Sequence, residues 1–234
     1  MEGILYNNLQ IFTFVNKPVS SNTYLIVDRN TNNCIVIDPG SKEDNSIRDY
    51  INLNKYNLEY IILTHEHFDH YWGVNYLRMH FNPLIIANDL CAEWIKTPRN
   101  YFNKYYYNSE DMYMVDRVDI TIGANDLLLS WGEYLINIFN TKGHSNKSIC
   151  VLVNELLFTG DTMIYNTLPV LKKRYGASID QLFKSISFIY KSCDVNTLVF
   201  PGHGKPFFLH EMIQFYQNYF KENGYCLTVP DKML

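Results

Sequence analysis

Short apolar runs with β-branched residues, separated by turn residues, make up the first third of the chain. They predict the opening strands of a sheet, over residues 10–15, 23–28 and 34–38. Apolar residues at helical spacing then predict a helix over 42–54. The apolar run 59–63 predicts a further strand, which leads directly into a polar cluster. This order of strand, helix and strand indicates an α/β fold.

The pattern continues with a helix over 71–80, a strand over 84–87 and a helix over 89–96. Residues 97–116 are polar and rich in tyrosine, without a clear period. We therefore expect an irregular loop there, with its tyrosines placed either as a lid over a site or as packing on the body of the protein.

Strands and helices also alternate in the second half of the chain. The predicted strands cover residues 118–122, 127–130, 134–140, 149–153, 156–159 and 197–200. The predicted helices cover residues 178–191 and 209–222. No linker and no short repeat interrupts the series, so we expect a single domain over residues 1–234, with two sheets covered by helices on both sides.

Composition narrows the classes of function. With 20 Lys and Arg against 24 Asp and Glu, the net charge is -4, so we expect a small-molecule substrate and no nucleic-acid partner. The five cysteines are widely spaced and include no C-x-x-C pair, which favours a reducing cytoplasm. Neither a signal peptide nor an apolar run of membrane-spanning length occurs, so we expect a soluble cytoplasmic protein without a membrane partner.

One histidine cluster carries the strongest chemical signal. His65, His67, Asp69 and His70 form H-x-H-x-D-H, in a chain with only seven histidines. In extended chain, side chains two residues apart share a face, so His65 and His67 point the same way. Asp69 and His70 then lie at the start of the next helix. Imidazole and carboxylate donors suit Zn²⁺, with Fe or Mn as substitutes, and such a group of polar side chains is costly to bury without a metal.

Three further polar segments follow predicted strands. They are TKGHS at 141–145, FTGDT at 158–162 and FPGHG at 200–204, centred on His144, Asp161 and His203. Each alone is also compatible with ordinary turn chemistry. Their order after the first cluster is therefore more informative than any one of them.

In that order, H-x-H-x-D-H, G-H-S, T-G-D-T and P-G-H-G resemble the metallo-β-lactamase superfamily, from about residue 22 to 205. The resemblance implies an αββα four-layer sandwich, with two mixed sheets flanked by helices. It also implies the metal ligands: His65, His67 and His144 for a first metal, Asp69, His70 and His203 for a second, and Asp161 as the bridge. Asp38, in Ile-Asp-Pro-Gly, matches a family aspartate near the site and is either a residue that orients the ligands or a plain turn residue.

The resemblance implies a hydrolase in which two zinc ions, or Fe or Mn, activate a water for attack on a small carbonyl compound. Asp69 and Asp161 are the expected catalytic residues. The sequence is similar to the hydroxyacylglutathione hydrolase group, so a thioester or a lactone is the expected substrate. Two alternatives share the fold: a persulfide dioxygenase, with one iron held by two His and one Asp, and a phosphodiesterase or nuclease, which the net charge disfavours.

A basic segment follows the Asp161 strand. Lys172, Lys173, Arg174 and Tyr175 lie where relatives place substrate-binding groups. Such side chains suit a carboxylate or phosphate group of the substrate, and a solvated basic loop is the alternative interpretation.

Overall fold

A computed structural model describes residues 2–230 of the chain. It contains two compact units that divide between Gly123 and Ala124. The organisation as one domain over 1–234 stays a prediction.

The first unit is built on a seven-stranded mixed sheet in the order β1 to β7. Its strands are β1 (Ile4–Tyr6), β2 (Leu9–Val15), β3 (Asn22–Asp28), β4 (Asn33–Ile37), β5 (Asn57–Ile62), β6 (Leu84–Asn88) and β7 (Ile120–Ile122). Strands β1 to β4 pair in antiparallel fashion, and β4 to β7 pair in parallel. The short edge strand β1 was not predicted from the sequence.

Helices connect the parallel strands of this unit. They are α1 (Asn45–Asn54), α2 (Phe68–Tyr71), α3 (Val74–Phe81), α4 (Asp89–Ile95) and α5 (Tyr101–Tyr107). Asp44 caps the N-terminus of α1, because its carboxylate accepts hydrogen bonds from the backbone N–H groups of Ser46 and Ile47 in the first helical turn. Ile47 and Ile51 lie one turn apart and are buried in the core that also contains strand residues of the sheet. That apolar stripe fixes α1 on the sheet.

The prediction of an irregular loop over 97–116 is wrong in part, because this segment contains helix α5. Residues 101–107 are helical, and an isolated bridge joins Arg99 to Tyr113. The segment gave no helical period because nearly every residue in it is aromatic or polar, with no contrast between faces. The helix is stabilised instead by tertiary packing: Phe102 is buried and stacks on Phe68.

The second unit contains a six-stranded mixed sheet in the order β13-β12-β11-β10-β9-β8. Its strands are β8 (Leu127–Trp131), β9 (Tyr134–Asn140), β10 (Ile149–Val153), β11 (Leu156–Gly160), β12 (Leu198–Pro201) and β13 (Phe207–Phe208). Only β11 and β12 among these described strands pair in parallel. The two-residue strand β13 was not predicted.

Two long helices, α6 (Ile179–Ser192) and α7 (Ile213–Glu222), accompany this sheet. Their inner faces share one core with strand residues, for example Ile186 and Tyr216 with Val199. The predicted helix over 209–222 starts as a 3-10 turn at Leu209–Met212. Two mixed sheets flanked by helices confirm the predicted α/β class. Across residues 2–230, none of the helices has both the length and the apolar character needed to cross a membrane.

The parallel strand pairs set the position of the polar motifs. In the first unit, Asp38 follows the end of β4, and the segment from Thr64 to His70 follows its parallel neighbour β5. In the second unit, Asp161 and His203 follow the ends of the parallel neighbours β11 and β12. Since the carboxyl ends of parallel strands share one edge of a sheet, each unit gathers its polar residues there.

Candidate metal centre

A first group of candidate ligands lies in the first unit, in the turn from β5 into α2. His65 is buried and His67 is partly buried in the extended segment before α2, while Asp69 and His70 lie inside this short helix. His65 Nε2 lies 3.0 Å from His67 Nδ1, and the rings of His65 and His70 are 4.2 Å apart at their centroids. Zn–N bonds of about 2.0–2.1 Å place neighbouring ligands roughly 3.4 Å apart, so these imidazoles fit a metal site.

Asp38 connects two of these histidines. Its carboxylate accepts hydrogen bonds from the Thr64 backbone N–H at 2.8 Å and from the Thr64 hydroxyl at 2.5 Å. His70 Nδ1 lies 2.8 Å from Asp38 Oδ2, and both side chains are buried. Because a carboxylate only accepts, His70 Nδ1 carries the proton and Nε2 keeps its lone pair for a metal.

The same reasoning assigns the protonation of His65. Thr64 Oγ1 lies 3.0 Å from His65 Nδ1 and has already given its one proton to Asp38. It therefore accepts a hydrogen bond from the N–H group at His65 Nδ1, which leaves His65 Nε2 as the nitrogen with the free lone pair. Asp38 also forms a close group with His65 and His70, but its oxygens are engaged by Thr64 and His70. We therefore interpret Asp38 as a residue that orients ligands.

Backbone contacts hold Asp69 in place. The buried Ser21 hydroxyl donates to the Asp69 carbonyl oxygen. A Cβ at Gly40 would lie 1.8 Å from that same oxygen, so only glycine fits there. Gly73 N–H donates to the Pro39 carbonyl at 2.7 Å. The loop after β4 thus packs directly on the backbone of the motif. Within α2, Asp69 Oδ2 lies 3.6 Å from His70 Nε2.

A second group of candidate ligands lies on three loops of the second unit. His144 follows Gly143, whose φ of 151° and close approach to Leu182 of α6 both require glycine. Ser185 of α6 donates its hydroxyl to the Lys142 carbonyl at 2.6 Å. Helix α6 therefore fixes the loop that carries His144.

Asp161 presents its two oxygens to two different histidines. Oδ2 lies 3.6 Å from His144 Nε2, and Oδ1 lies 3.6 Å from His203 Nε2. These separations exceed hydrogen-bond length but match the spacing of two ligands on a shared cation. The Gly202 N–H donates to the Gly160 carbonyl at 2.7 Å, which ties the loops of Asp161 and His203 together. Asp161 and His144 are buried, and His203 is partly exposed. These imidazole nitrogens and carboxylate oxygens are donors that suit zinc and similar metals.

Cys150 lies close to the segments that carry His144 and Asp161. Its sulfur is 3.2 Å from Thr141 Oγ1, which is in turn 3.1 Å from Thr162 Oγ1. Burial raises the pKa of the Cys150 thiol to about 12. The thiol therefore stays protonated near neutral pH. Because only a thiolate acts as a nucleophile or metal ligand, we interpret Cys150 as a packed core residue.

The basic segment lies beside the His144 loop. Lys172, Lys173 and Arg174 are exposed, whereas Tyr175 is buried at the end of a 3-10 turn. The Tyr175 carbonyl accepts from the backbone N–H of Asn146, two residues after His144. The Arg174 guanidinium lies 4.8 Å from the centre of the Tyr175 ring. Tyr175 thus anchors a short cationic surface next to one of the proposed ligands.

Sequence reasoning missed three residues that support the site. Thr64, Ser21 and Gly40 act through contacts with Asp38, His65 and the Asp69 backbone, as described above. Two of them left a local signal, since Thr64 stands directly before the first histidine of the motif and Gly40 closes the Ile-Asp-Pro-Gly turn.

Comparison with known proteins supports the metal-site interpretation. A family model described as the Metallo-beta-lactamase superfamily matches residues 16–203. The probable polyketide biosynthesis zinc-dependent hydrolase BaeB of Bacillus velezensis is 29% identical over 186 residues, covering 79% of this chain and 73% of that protein. A hydroxyacylglutathione hydrolase of Pelagibacter ubique is 28% identical over 185 residues, covering 77% of this chain and 65% of that protein.

Solved structures agree on the fold. The crystal structure of BLEG-1 B3 metallo-beta-lactamase superposes with a TM-score of 0.77 at 20% identity, covering 87% of this chain and 96% of that one. At this identity the likeness concerns the fold alone. The family match spans well over half of the chain and confirms the resemblance drawn from the four motifs. The chain belongs to the metallo-β-lactamase superfamily.

Proposed function

We propose that the protein is a binuclear metal-dependent hydrolase that cleaves a small thioester or lactone. The observation that carries the proposal is the Asp161 carboxylate, with one oxygen towards His144 and the other towards His203. A carboxylate whose two oxygens face two different histidines is suited to bridge two cations. His65, His67 and His144 are the proposed ligands of one zinc ion, and Asp69, His70 and His203 those of the other. Iron or manganese could replace zinc.

The relatives support a hydrolase and suggest the substrate class that we propose. The proteins named as a zinc-dependent hydrolase and a hydroxyacylglutathione hydrolase are each similar to more than three quarters of this chain. The second name denotes thioester cleavage, and a lactone presents a comparable acyl carbon to a nucleophile. Both identities are below 30%, so the acyl group and the leaving group are proposed here and are not taken from either relative.

When bound, the two cations would supply an activated water near neutral pH and polarise the substrate carbonyl. The residues of the chain orient the reaction. Asp69, whose backbone carbonyl contacts Ser21 and the Gly40 loop, would accept a hydrogen bond from the attacking water through its carboxylate. Asp38 and Thr64 keep the Nε2 atoms of His70 and His65 free of protons. Lys172, Lys173 and Arg174 bind an anionic part of the substrate beside the His144 loop.

Metal analysis combined with assays tests this function. The protein is purified without chelator, its metals are quantified by elemental analysis, and the same sample is assayed on acyl thioesters and lactones. We expect about two zinc ions per chain and hydrolysis that stops after chelation and returns with zinc. One iron per chain with oxygen consumption on a persulfide would overturn the proposal in favour of a dioxygenase. Cleavage of phosphodiesters alone would favour the nuclease class.

A further inference from the structure

Helix α5 is attached to the metal-binding motif itself. Phe68 stands in sequence between His67 and Asp69, and its ring stacks on Phe102 of α5 at 3.8 Å between centroids. Tyr106, one helical turn after Phe102, lies 5.3 Å from the same Phe68 ring. One face of α5 is therefore fixed to the residue that separates two of the proposed ligands.

The remaining surface of α5 exposes several large rings next to this contact. Tyr101, Tyr105 and Tyr106, defined here as the tyrosine wall, are 46%, 76% and 37% exposed. The Tyr101 ring packs on Phe102 at 4.1 Å, and the Tyr105 ring packs on Tyr106 at 4.8 Å. Burial raises the pKa of the Tyr106 phenol. Exposed aromatic surface beside a candidate site is typical of ligand binding.

We propose that the tyrosine wall binds the acyl part of the substrate and selects apolar acyl groups, aliphatic or aromatic, over short or charged ones. This inference rests on the proposed hydrolase function and specifies its substrate. The helix offers little charge to a ligand, because Lys104 is its only charged residue and pairs with Glu110 at 2.7 Å. Ring faces gain free energy by covering apolar groups.

Tyr107 provides a matched comparison on the same helix. It is 49% exposed, close to the value for Tyr101, but its ring packs on Trp72 at 5.1 Å. It also lies 5.5 Å from the Lys42 ammonium and lines a separate cleft with Ser41 and Lys42. Tyr107 is therefore a tyrosine of similar exposure whose ring contacts Trp72 and Lys42.

The test uses inert ligands, so that it does not depend on turnover. S-hexyl and S-methyl thioethers of N-acetylcysteamine are titrated into the metal-loaded protein by calorimetry. We expect the hexyl compound to bind roughly tenfold more tightly than the methyl compound. Tyr106→Ala should reduce this ratio to near one, whereas Tyr106→Phe, which keeps the ring, should preserve it. Tyr107→Ala should also leave the ratio unchanged.

Equal affinity of the wild-type protein for both thioethers would overturn the tyrosine wall as an acyl site, and so would an unchanged ratio in Tyr106→Ala. The same preparations are assayed on hexanoyl and acetyl thioesters. Hydrolysis without a chain-length preference would reject the acyl-binding role of the tyrosine wall and support the proposed hydrolase function. Preferential binding of the hexyl thioether without hydrolysis of any ester would reject the hydrolase and retain the wall as an apolar binding surface.

Discussion

His70 Nδ1 lies 2.8 Å from Asp38 Oδ2, although the two residues are 32 positions apart in the chain. Both side chains are buried, and Asp38 adopts a left-handed backbone with φ of 53°. Such a conformation is uncommon for a residue other than glycine and is often found at functional sites. The contact fixes which nitrogen of His70 faces away from Asp38, and therefore which one is available to a metal.

Asp38→Asn should weaken metal binding without unfolding the protein. The Asn oxygen can still accept from the Thr64 backbone N–H, but the amide nitrogen would replace Oδ2. It would then face both the Thr64 hydroxyl and His70 Nδ1, and would favour the His70 tautomer with a proton on Nε2. We expect metal affinity to fall about 10- to 100-fold, measured by competition with a chromogenic chelator. Asp28→Asn is the control, because buried Asp28 accepts from Asn30 and Thr31 in an ordinary turn. Unchanged affinity in Asp38→Asn would rule out this positioning role.

Gly40→Ala should destabilise the protein and displace Asp69. The added Cβ would lie 1.8 Å from the Asp69 carbonyl oxygen, and both groups belong to packed backbone. We expect a loss of about 1–3 kcal/mol in the free energy of unfolding, measured by chemical denaturation. Gly123→Ala is the matched control, since its Cβ would meet only Asp89 Oδ2 at 3.9 Å. Equal stability of the two variants would contradict the close packing at Gly40.

Prediction from the sequence succeeded for most strands and for the superfamily. The alternation of apolar runs located most strands, because buried strands need continuous apolar side chains and end at turn residues. The spacing of His65 to His70 predicted a metal motif, since ligand chemistry restricts both residue type and separation, and the structure brings these two imidazoles together. The family match over residues 16–203 confirms the superfamily that these motifs indicated.

The features that prediction missed depend on distant partners. Helix α5 forms because Phe102 packs on Phe68, a contact across 34 positions that no local period reveals. Ser21 supports Asp69 across 48 positions. The strand β13 has only two residues and is stabilised by its pairing with β12. Tertiary packing overrides local propensity in such segments.

Asp161→Asn should remove the proposed bridge while preserving the size of the side chain. An amide places one neutral oxygen and one N–H group where two anionic oxygens face His144 and His203. We expect turnover to fall by more than roughly 100-fold and the metal content to decrease, by steady-state assay and elemental analysis. Asp69→Ala should abolish turnover as well. Asp180→Asn changes an aspartate that pairs with Lys184 on α6 and should behave as wild type. Near-normal turnover in either site variant would contradict its catalytic role.

Alkylation should distinguish the cysteines and leave hydrolysis intact. Burial raises the pKa values of the Cys34 and Cys150 thiols, so at pH 8 both stay in the protonated, unreactive form. Cys226 is exposed, whereas the other four are buried. We expect N-ethylmaleimide to modify Cys226 alone in the native protein and all five thiols after denaturation, by mass spectrometry. Loss of hydrolysis on modification at Cys226 alone would contradict a mechanism without a thiol.

Replacing Lys172, Lys173 and Arg174 together by Ala should raise KM for an anionic thioester and leave kcat nearly unchanged. The three side chains are exposed, and the buried Tyr175 that anchors them is retained, so the His144 loop keeps its Asn146 contact. A neutral thioester of the same acyl group should show little change, because the lost interaction is with the charge. The control replaces Lys184, Lys191 and Lys221 of α6 and α7 by Ala, which removes the same charge from other exposed positions. A rise in KM common to both triple variants would assign the effect to net charge, and unchanged kinetics in the first would leave the segment as a solvated loop.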